Sequence, residues 1–553
     1  MTTSSINSKV AQLLYEDSGH NLSHVIRLND GSLFTLVCIT KKNLSELDQA
    51  VCSHYVMGRQ SLDNGRMWSD PRMLIAFPQQ AGYISGQHFL QSRAGFLHVF
   101  SFRIKELNVK TNSFIGDTLH TRVDDIHGTN AITQKVECLD RYNGGMNSSL
   151  QLASGRIVIP ISTVPQNTLG FVCSTIYSDD EGVTWKASND VGISDGESHS
   201  ESGAMEPVVI ELNRAHILML IRTTLGRFYY AISIDGGASW GPARPTLFRS
   251  SNAPTSLVRL GNGDIVKIWN HCLGYRYIEG ISYARQVLHA AISEDGGTTW
   301  NGYREIIGRR QDDPPGVLNC YAFPIVLHDD ELLVKYYSIE SKEGATFNDP
   351  NAKLISFSSA FLKEKTIVEE FSNGLQAWST VGKHVTTGTY RSDPSSPDKN
   401  MLQMSAGVDE TAVASINFPY GSAGSLKIKM KSGKNLTGAS LILSETYLDE
   451  YHFTGNDEEI KRIREIVLKD CVRLAVYGSS NQWEEWDISW DMNKNEVRLS
   501  DGTETQTIEV KSDIGGFSYL MFCLEGSEGE VQRLSIARVA AESQRGGYSG
   551  IEL

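Results

Sequence analysis

Residues 291–300 read AISEDGGTTW, and the order Ser, Asp, Gly, Trp inside that stretch recurs. SLDNGRMW begins at Ser61, SDDEGVTW at Ser178 and SIDGGASW at Ser233; with SEDGGTTW from Ser293, all four obey S-x-D-x-G-x-x-W. At average residue usage one match is expected in roughly one of every few hundred chains this long, so four copies mark an internal repeat. The last three start one unit of 55–60 residues apart and the first stands about two units earlier. One unit has therefore lost its box.

Around the boxes a second rhythm returns. HVIRLNDGSLFTLV, FLQSRAGFLHVF, SSLQLASGRIVIPI, PVVIELNRAHILMLI, SLVRLGNGDIVKIW and FPIVLHDDELLVKYY are each two apolar runs around a polar or Gly turn, the pattern of a β-hairpin. Six such units between about residues 20 and 340 predict a six-bladed β-propeller, because radial repetition is how identical antiparallel units share one core. The box then belongs at the turn between the third and fourth strands. Its Asp and Ser bond local amides, its Gly takes a positive φ and its Trp wedges into the blade.

Near residue 365 the repeat stops. SLKIKMKSG, ASLILSE, VRLAVYG, WEEWDISWDMNKNEVRLSDGTETQTIEV and FSYLMFCLEG alternate as strands, and only NDEEIKRIREIVLKD has helical character. The expected organisation is a propeller over 1–362, a β-sandwich of lectin or jelly-roll kind over 363–545, and a tail over 546–553. Trp378, Trp483, Trp486 and Trp490 of the second region either stack on sugar rings or fill its core.

Composition narrows the function. With 51 Lys and Arg against 65 Asp and Glu, the chain of 553 residues carries a net charge of -14, which argues against a nucleic-acid partner. The eight cysteines include no C-x-x-C pair, so no metal site and no cofactor are expected. No run approaches the roughly 18 apolar residues of a membrane span, and MTTSSINSKVAQLLYEDSGH has no basic segment leading into an apolar core. A cytoplasmic location is the default expectation, a secreted one if a leader preceded this sequence. Oligomeric state is left open.

In a propeller, ligands gather where the first strand of each blade begins. The residues placed there are His20, Asn21 and His24, then His88, Tyr142, Asn147, Glu206, Asn252 and Tyr321; the ends of second strands add Arg103, Arg222 and His271, and Arg285 precedes the last box. Arginines converging with a Glu and a Tyr form a set suited to an anionic ligand and to acid/base work.

The boxes, together with MEPVVIELNRAHILMLIRTTLGRFYYAISIDGGASW (205–240), resemble the sialidase superfamily over roughly residues 15–360. The resemblance implies a retaining glycosidase for a terminal sialic-acid-like sugar of a glycan. Tyr321, in NCYAFPIVL, matches the family's nucleophile and Glu206 its partner base; Arg222 and Arg285 match two carboxylate-binding arginines. The acid/base Asp of the loop before the first box falls on Asp48, with Glu46 as the alternative. The family's first arginine lies in an Arg-Ile-Pro motif opening the first blade. Here SGHNLSHVIRLNDGS (18–32) has no such motif; its place falls on His20 or Asn21. His20, Asn21, His88, Tyr142 and His271 complete the expected substrate-binding set. A glycosidase for another sugar, a uronate lyase using His20, His88, Tyr142 and Arg222, and a non-catalytic glycan-binding protein are the competing readings.

Overall fold

The computed structural model describes residues 11–552 except 18–21, 43–50, 82, 109–112, 128–129, 140–141, 166–169, 194–202, 214–215, 275–280, 310–316, 340–350, 383, 392–396, 435, 455–457, 479–480, 512 and 528–530. Strands dominate it. The helices among the described residues are short, Tyr451–Thr454, Glu458–Leu468 and a 3₁₀ turn at Ser359–Lys363, and none is long and apolar enough to cross a membrane.

Each hairpin read from the sequence forms the first two strands of an antiparallel sheet. The first sheet runs Leu22–Arg27, Leu33–Lys42, Val51–Ser61, Arg72–Ala81; the fourth runs Met205–Asn213, His216–Arg222, Arg227–Ser233, Arg244–Arg249. Six sheets of this kind follow one another. The last is completed from the other end of the chain: Ala11–Asp17 pairs with Asn351–Ser358. First strands pack against one another, Leu22–Arg27 on Tyr83–Gln91, Met205–Asn213 on Thr255–Arg259, Thr255–Arg259 on Leu318–Val326, and Leu318–Val326 back on Leu22–Arg27. Arg27 stitches that closure by donating to the carbonyls of Val326 and Leu327. The ring is a β-propeller.

The boxes do local work. In the third sheet Ser178 Oγ donates to Asp180 Oδ1 at 2.8 Å and accepts from Gly182 N at 2.9 Å, while Asp180 accepts from Thr184 N at 2.8 Å. The same net recurs from Ser61, Ser233 and Ser293. All four boxes follow third strands. In the second sheet, VDDIHG takes that place without a box.

Residues 366–545 form an eight-stranded and a five-stranded sheet around one apolar core that includes Trp378, Trp486 and Trp490. Those three tryptophans are therefore packing residues; Trp483 is not among them. Gly547–Tyr548 of the tail pairs with Thr299–Ile307 of the fifth propeller sheet. The two regions share apolar clusters in which Tyr420 and Ile551 join Trp269, Trp300 and Tyr303, and Leu273 and Ile281 join Val413, Ile442 and Met521. Tyr303 and Tyr420 stack at 4.3 Å between ring centroids.

Candidate active site

The first strands are not regular where they begin. Pairing jumps from Met205↔Arg222 to Val208↔Leu220 in the fourth sheet and from Cys320↔Tyr337 to Phe323↔Lys335 in the sixth. Each jump is a β-bulge that leaves two residues facing one, Glu206–Pro207 and Tyr321–Ala322. A bulge tolerates the proline, which has no amide to give a ladder, and it re-aims a side chain. Both Glu206 and Tyr321 take positive φ, 41° and 54°, a conformation uncommon for such residues.

The two re-aimed side chains meet. Tyr321 Oη donates to Glu206 Oε1 at 2.9 Å. Arg222, at the end of the second strand of the fourth sheet, donates from Nη1 to Glu206 Oε2 at 2.5 Å and reaches Tyr321 Oη at 3.5 Å. Glu206 thus has one oxygen on a phenol and one on a guanidinium. Gly145 lies against it: a Cβ there would sit 3.1 Å from Glu206 Cγ.

Asn252 ties the arginines down. Its Oδ1 accepts from Arg222 Nε at 2.7 Å, and its backbone carbonyl accepts from Arg285 Nη2 at 2.6 Å and Nε at 3.2 Å. Its own Nδ2 is buried without a hydrogen-bond partner among the described residues. The Arg285 guanidinium stands 5.6 Å from the Tyr321 ring centroid. The sequence places Asn252 at the head of the fifth sheet, but not its bracing role, because one of the two contacts is made by a backbone carbonyl.

Burial, reinforced by the Glu206 carboxylate, pushes the Tyr321 phenol above its usual value, with Arg222 and Arg285 opposing. The phenol is neutral at physiological pH. It can act as a nucleophile only by losing its proton during attack, and Glu206 is in place to accept it. Behind it, Lys335 is fully buried with its Nζ over the Tyr337 ring, and burial drives its pKa well down.

Other sequence candidates lie elsewhere. His88 is buried deeper in the channel, stacked on His24 at 4.3 Å between centroids. The two line a cavity of about 420 Å³ with Asn147, Val208, Ser256 and Phe323. Burial lowers both imidazoles, His24 to about 4. His271 is not brought to the cluster. The sandwich covers that end of its strand, and His271 Nε2 bonds the Glu445 carbonyl at 2.8 Å. Arg103 pairs with Asp117 on the neighbouring strand. Tyr142 belongs to the strand Tyr142–Gly145, but its side chain, like His20, Asn21, Glu46 and Asp48, lies outside the described residues. Among the described residues no group of three or more His, Cys, Asp or Glu could hold a metal.

A family model described as a BNR repeat-like domain matches residues 143–313, the stretch that supplies Glu206, Arg222, Asn252 and Arg285. A sialidase of Micromonospora viridifaciens is 26% identical over 230 residues. Over that stretch the chain is similar to BNR-repeat proteins and to sialidases. That alignment takes in 36% of this chain and 33% of the relative, so the chain matches about a third of the relative's length. Among solved structures, Trypanosoma rangeli sialidase in complex with sialic acid aligns over 96% of this chain and 94% of its own, at 12% identity and a TM-score of 0.40. A protein of unknown function from Dyadobacter fermentans DSM 18053 aligns over 63% and 98%, at 18% identity and a TM-score of 0.44.

Proposed function

We propose that this chain is a retaining exo-glycoside hydrolase of sialidase type that releases a terminal, carboxylate-bearing sugar from a glycan. The observation that carries the reading is the hydrogen bond from Tyr321 Oη to Glu206 Oε1 at 2.9 Å, with Arg222 and Arg285 beside it. A carboxylate nucleophile would be repelled by an anionic sugar; a neutral phenol is not. In the first step the Tyr321 oxygen bonds the anomeric carbon as its proton passes to Glu206 and the bond to the leaving oxygen breaks. The leaving oxygen takes a proton from a general acid, the role we assign to Asp48. Water then attacks the same carbon and gives its proton to the Asp48 carboxylate, while the bond to the Tyr321 oxygen breaks and that oxygen takes its proton back from Glu206. Two inversions leave net retention.

Arg222 and Arg285 would hold the substrate carboxylate through charge-assisted hydrogen bonds. A second reading, hydrolysis of a different acidic sugar, is favoured by one observation: residues 18–32 lack the Arg-Ile-Pro motif of the family's first arginine. Release of an aryl sialoside aglycone by the wild type and by Tyr321→Phe tests both. Release that collapses in the variant supports the sialidase reading. No release from folded wild-type protein overturns it in favour of another acidic sugar.

A further inference from the structure

The eight-stranded sheet of the sandwich has an inner face that packs the core and an opposite, outer face. Alternation assigns the residues. Leu426, Ile428 and Met430 point inward, as do Trp486, Ile488 and Trp490, so Lys431 and Trp483 point outward. Register lines them up: Gln403 lies opposite Ser535, Ser535 opposite Lys431, and Lys431 opposite Trp483. Four adjacent strands thus contribute one outward row.

The row lies in a hollow. Tyr390 ends the strand Val385–Tyr390, which three strands separate from the strand of Trp483. Their rings nevertheless approach to 4.8 Å between centroids, so this end of the sheet curls into a groove of about 760 Å³. Arg391, Lys431, Lys434 and Arg533 line it, and no Asp or Glu does among the described residues. Arg391 is paired with Asp398; the other three have no carboxylate partner among the described residues. Three such cations together stand out on a chain whose net charge is -14.

The lining chemistry selects a ligand class. Half-buried aromatic rings present flat apolar faces of the kind that pack on the C–H face of a pyranose. Amide and hydroxyl groups from Gln403, Ser535 and Thr389 suit sugar hydroxyls. The cations suit carboxylates. A bare phosphate would use the cations and leave the rings idle. We propose that this groove is a second, non-catalytic site that binds an acidic oligosaccharide through the carboxylates of its sugar units. The proposal stands on the sandwich alone and does not depend on the propeller chemistry.

The experiment uses the full chain carrying Tyr321→Phe, so that no probe is turned over. Binding of fluorescently labelled α2,8-linked sialic acid oligomers, oligogalacturonate and a neutral cello-oligosaccharide is measured by polarisation. Trp483→Ala and the doubly charge-reversed Lys431→Glu/Arg533→Glu are then introduced, each checked by near-UV circular dichroism. We expect one or both acidic probes to bind, the neutral probe not to bind, and Trp483→Ala to weaken binding about 10-fold. Charge reversal should abolish it, and added salt should weaken it; the two acidic probes distinguish a sialate from a uronate ligand. Absence of acidic-probe binding overturns the proposal. So does equal binding of the neutral probe, or acidic-probe binding that survives both sandwich changes and disappears only with Arg222→Lys. If Trp483→Ala misfolds, the charge-reversed surface variant decides alone.

Discussion

Two of the tyrosine–glutamate hydrogen bonds among the described residues are built from similar parts and set in different surroundings. Tyr321 donates to Glu206 at 2.9 Å in the channel; Tyr519 donates to Glu305 at 2.7 Å at the seam between propeller and sandwich. Tyr519 and Glu305 are 2% and 5% exposed, with Tyr519 also bonded to His289. Tyr321 is only half-buried and has two guanidiniums beside it. The seam pair satisfies its own polar groups and leaves nothing for a ligand. The channel pair keeps a face open, together with cations that an anionic sugar would use. Residue types do not make the site; access and surplus charge do.

The first way to break the comparison is to remove one partner from each pair. Glu206→Gln should lower kcat by about 10²–10⁴, whereas Tyr519→Phe should lower stability by about 1–3 kcal/mol with a far smaller effect on turnover. Turnover in Glu206→Gln close to wild type would remove Glu206 from the chemistry. Next in size, Arg222→Ala leaves Glu206 buried without its ion-pair partner and should destabilise the fold by about 3–5 kcal/mol, read as a drop in the urea midpoint. Asn252→Ala leaves both guanidiniums in place but frees Arg222 Nε. We expect a rise in KM of roughly 10-fold, about 1.4 kcal/mol, for an acidic substrate, with kcat little changed. An equal fall in kcat would instead make Asn252 a transition-state contact.

The seam also carries a pH signature. Burial pushes the Glu445 carboxyl up to about 7 against the pull of Arg249, from an ordinary value of 4.5. Between those values the native state holds a proton that the unfolded chain gives up. Its contribution to stability is therefore complete below pH 4.5 and is lost as pH rises through 7. Urea midpoints at pH 5 and 7.5 should differ less in Glu445→Gln than in the wild type; an unchanged difference would place the titration elsewhere. The smallest effect should come from a box: Asp235→Ala removes the bonds to Ser233 and Ser239 and should cost about 1–2 kcal/mol, visible as a lower Tm.

The seam also bears on Arg285. Ile281, Ala284 and Val287 of its segment pack on residues of the sandwich, including Met521, Tyr447 and Tyr519, and Gln286 Nε2 bonds Asp449 at 2.9 Å. The second region buttresses the segment that holds Arg285 beside Tyr321.

The boxes and hairpins are legible in the sequence because their forces are local: a Ser, an Asp and an amide four residues apart bond one another wherever the chain goes, and alternation within one strand sets its buried face. The same alternation separates Trp483 from Trp486 and Trp490 once the sheet is known. The pairing of Tyr321 with Glu206 spans 115 residues and depends on two bulges, each adding one residue to a strand without any marker in composition. The resemblance of motifs names those two residues, but their contact exists because the ring closes. His271 shows the reverse case. It lies two residues past the end of a second strand, Ile265–Trp269, near the position Arg222 takes in its own sheet, yet it is sealed against Glu445, because the sandwich packs over that end of the fifth sheet. Local hydrogen bonding and hydrophobic period belong to the sequence. Which strand ends face the channel, and which are covered by a second layer, is settled by packing between segments far apart in the chain.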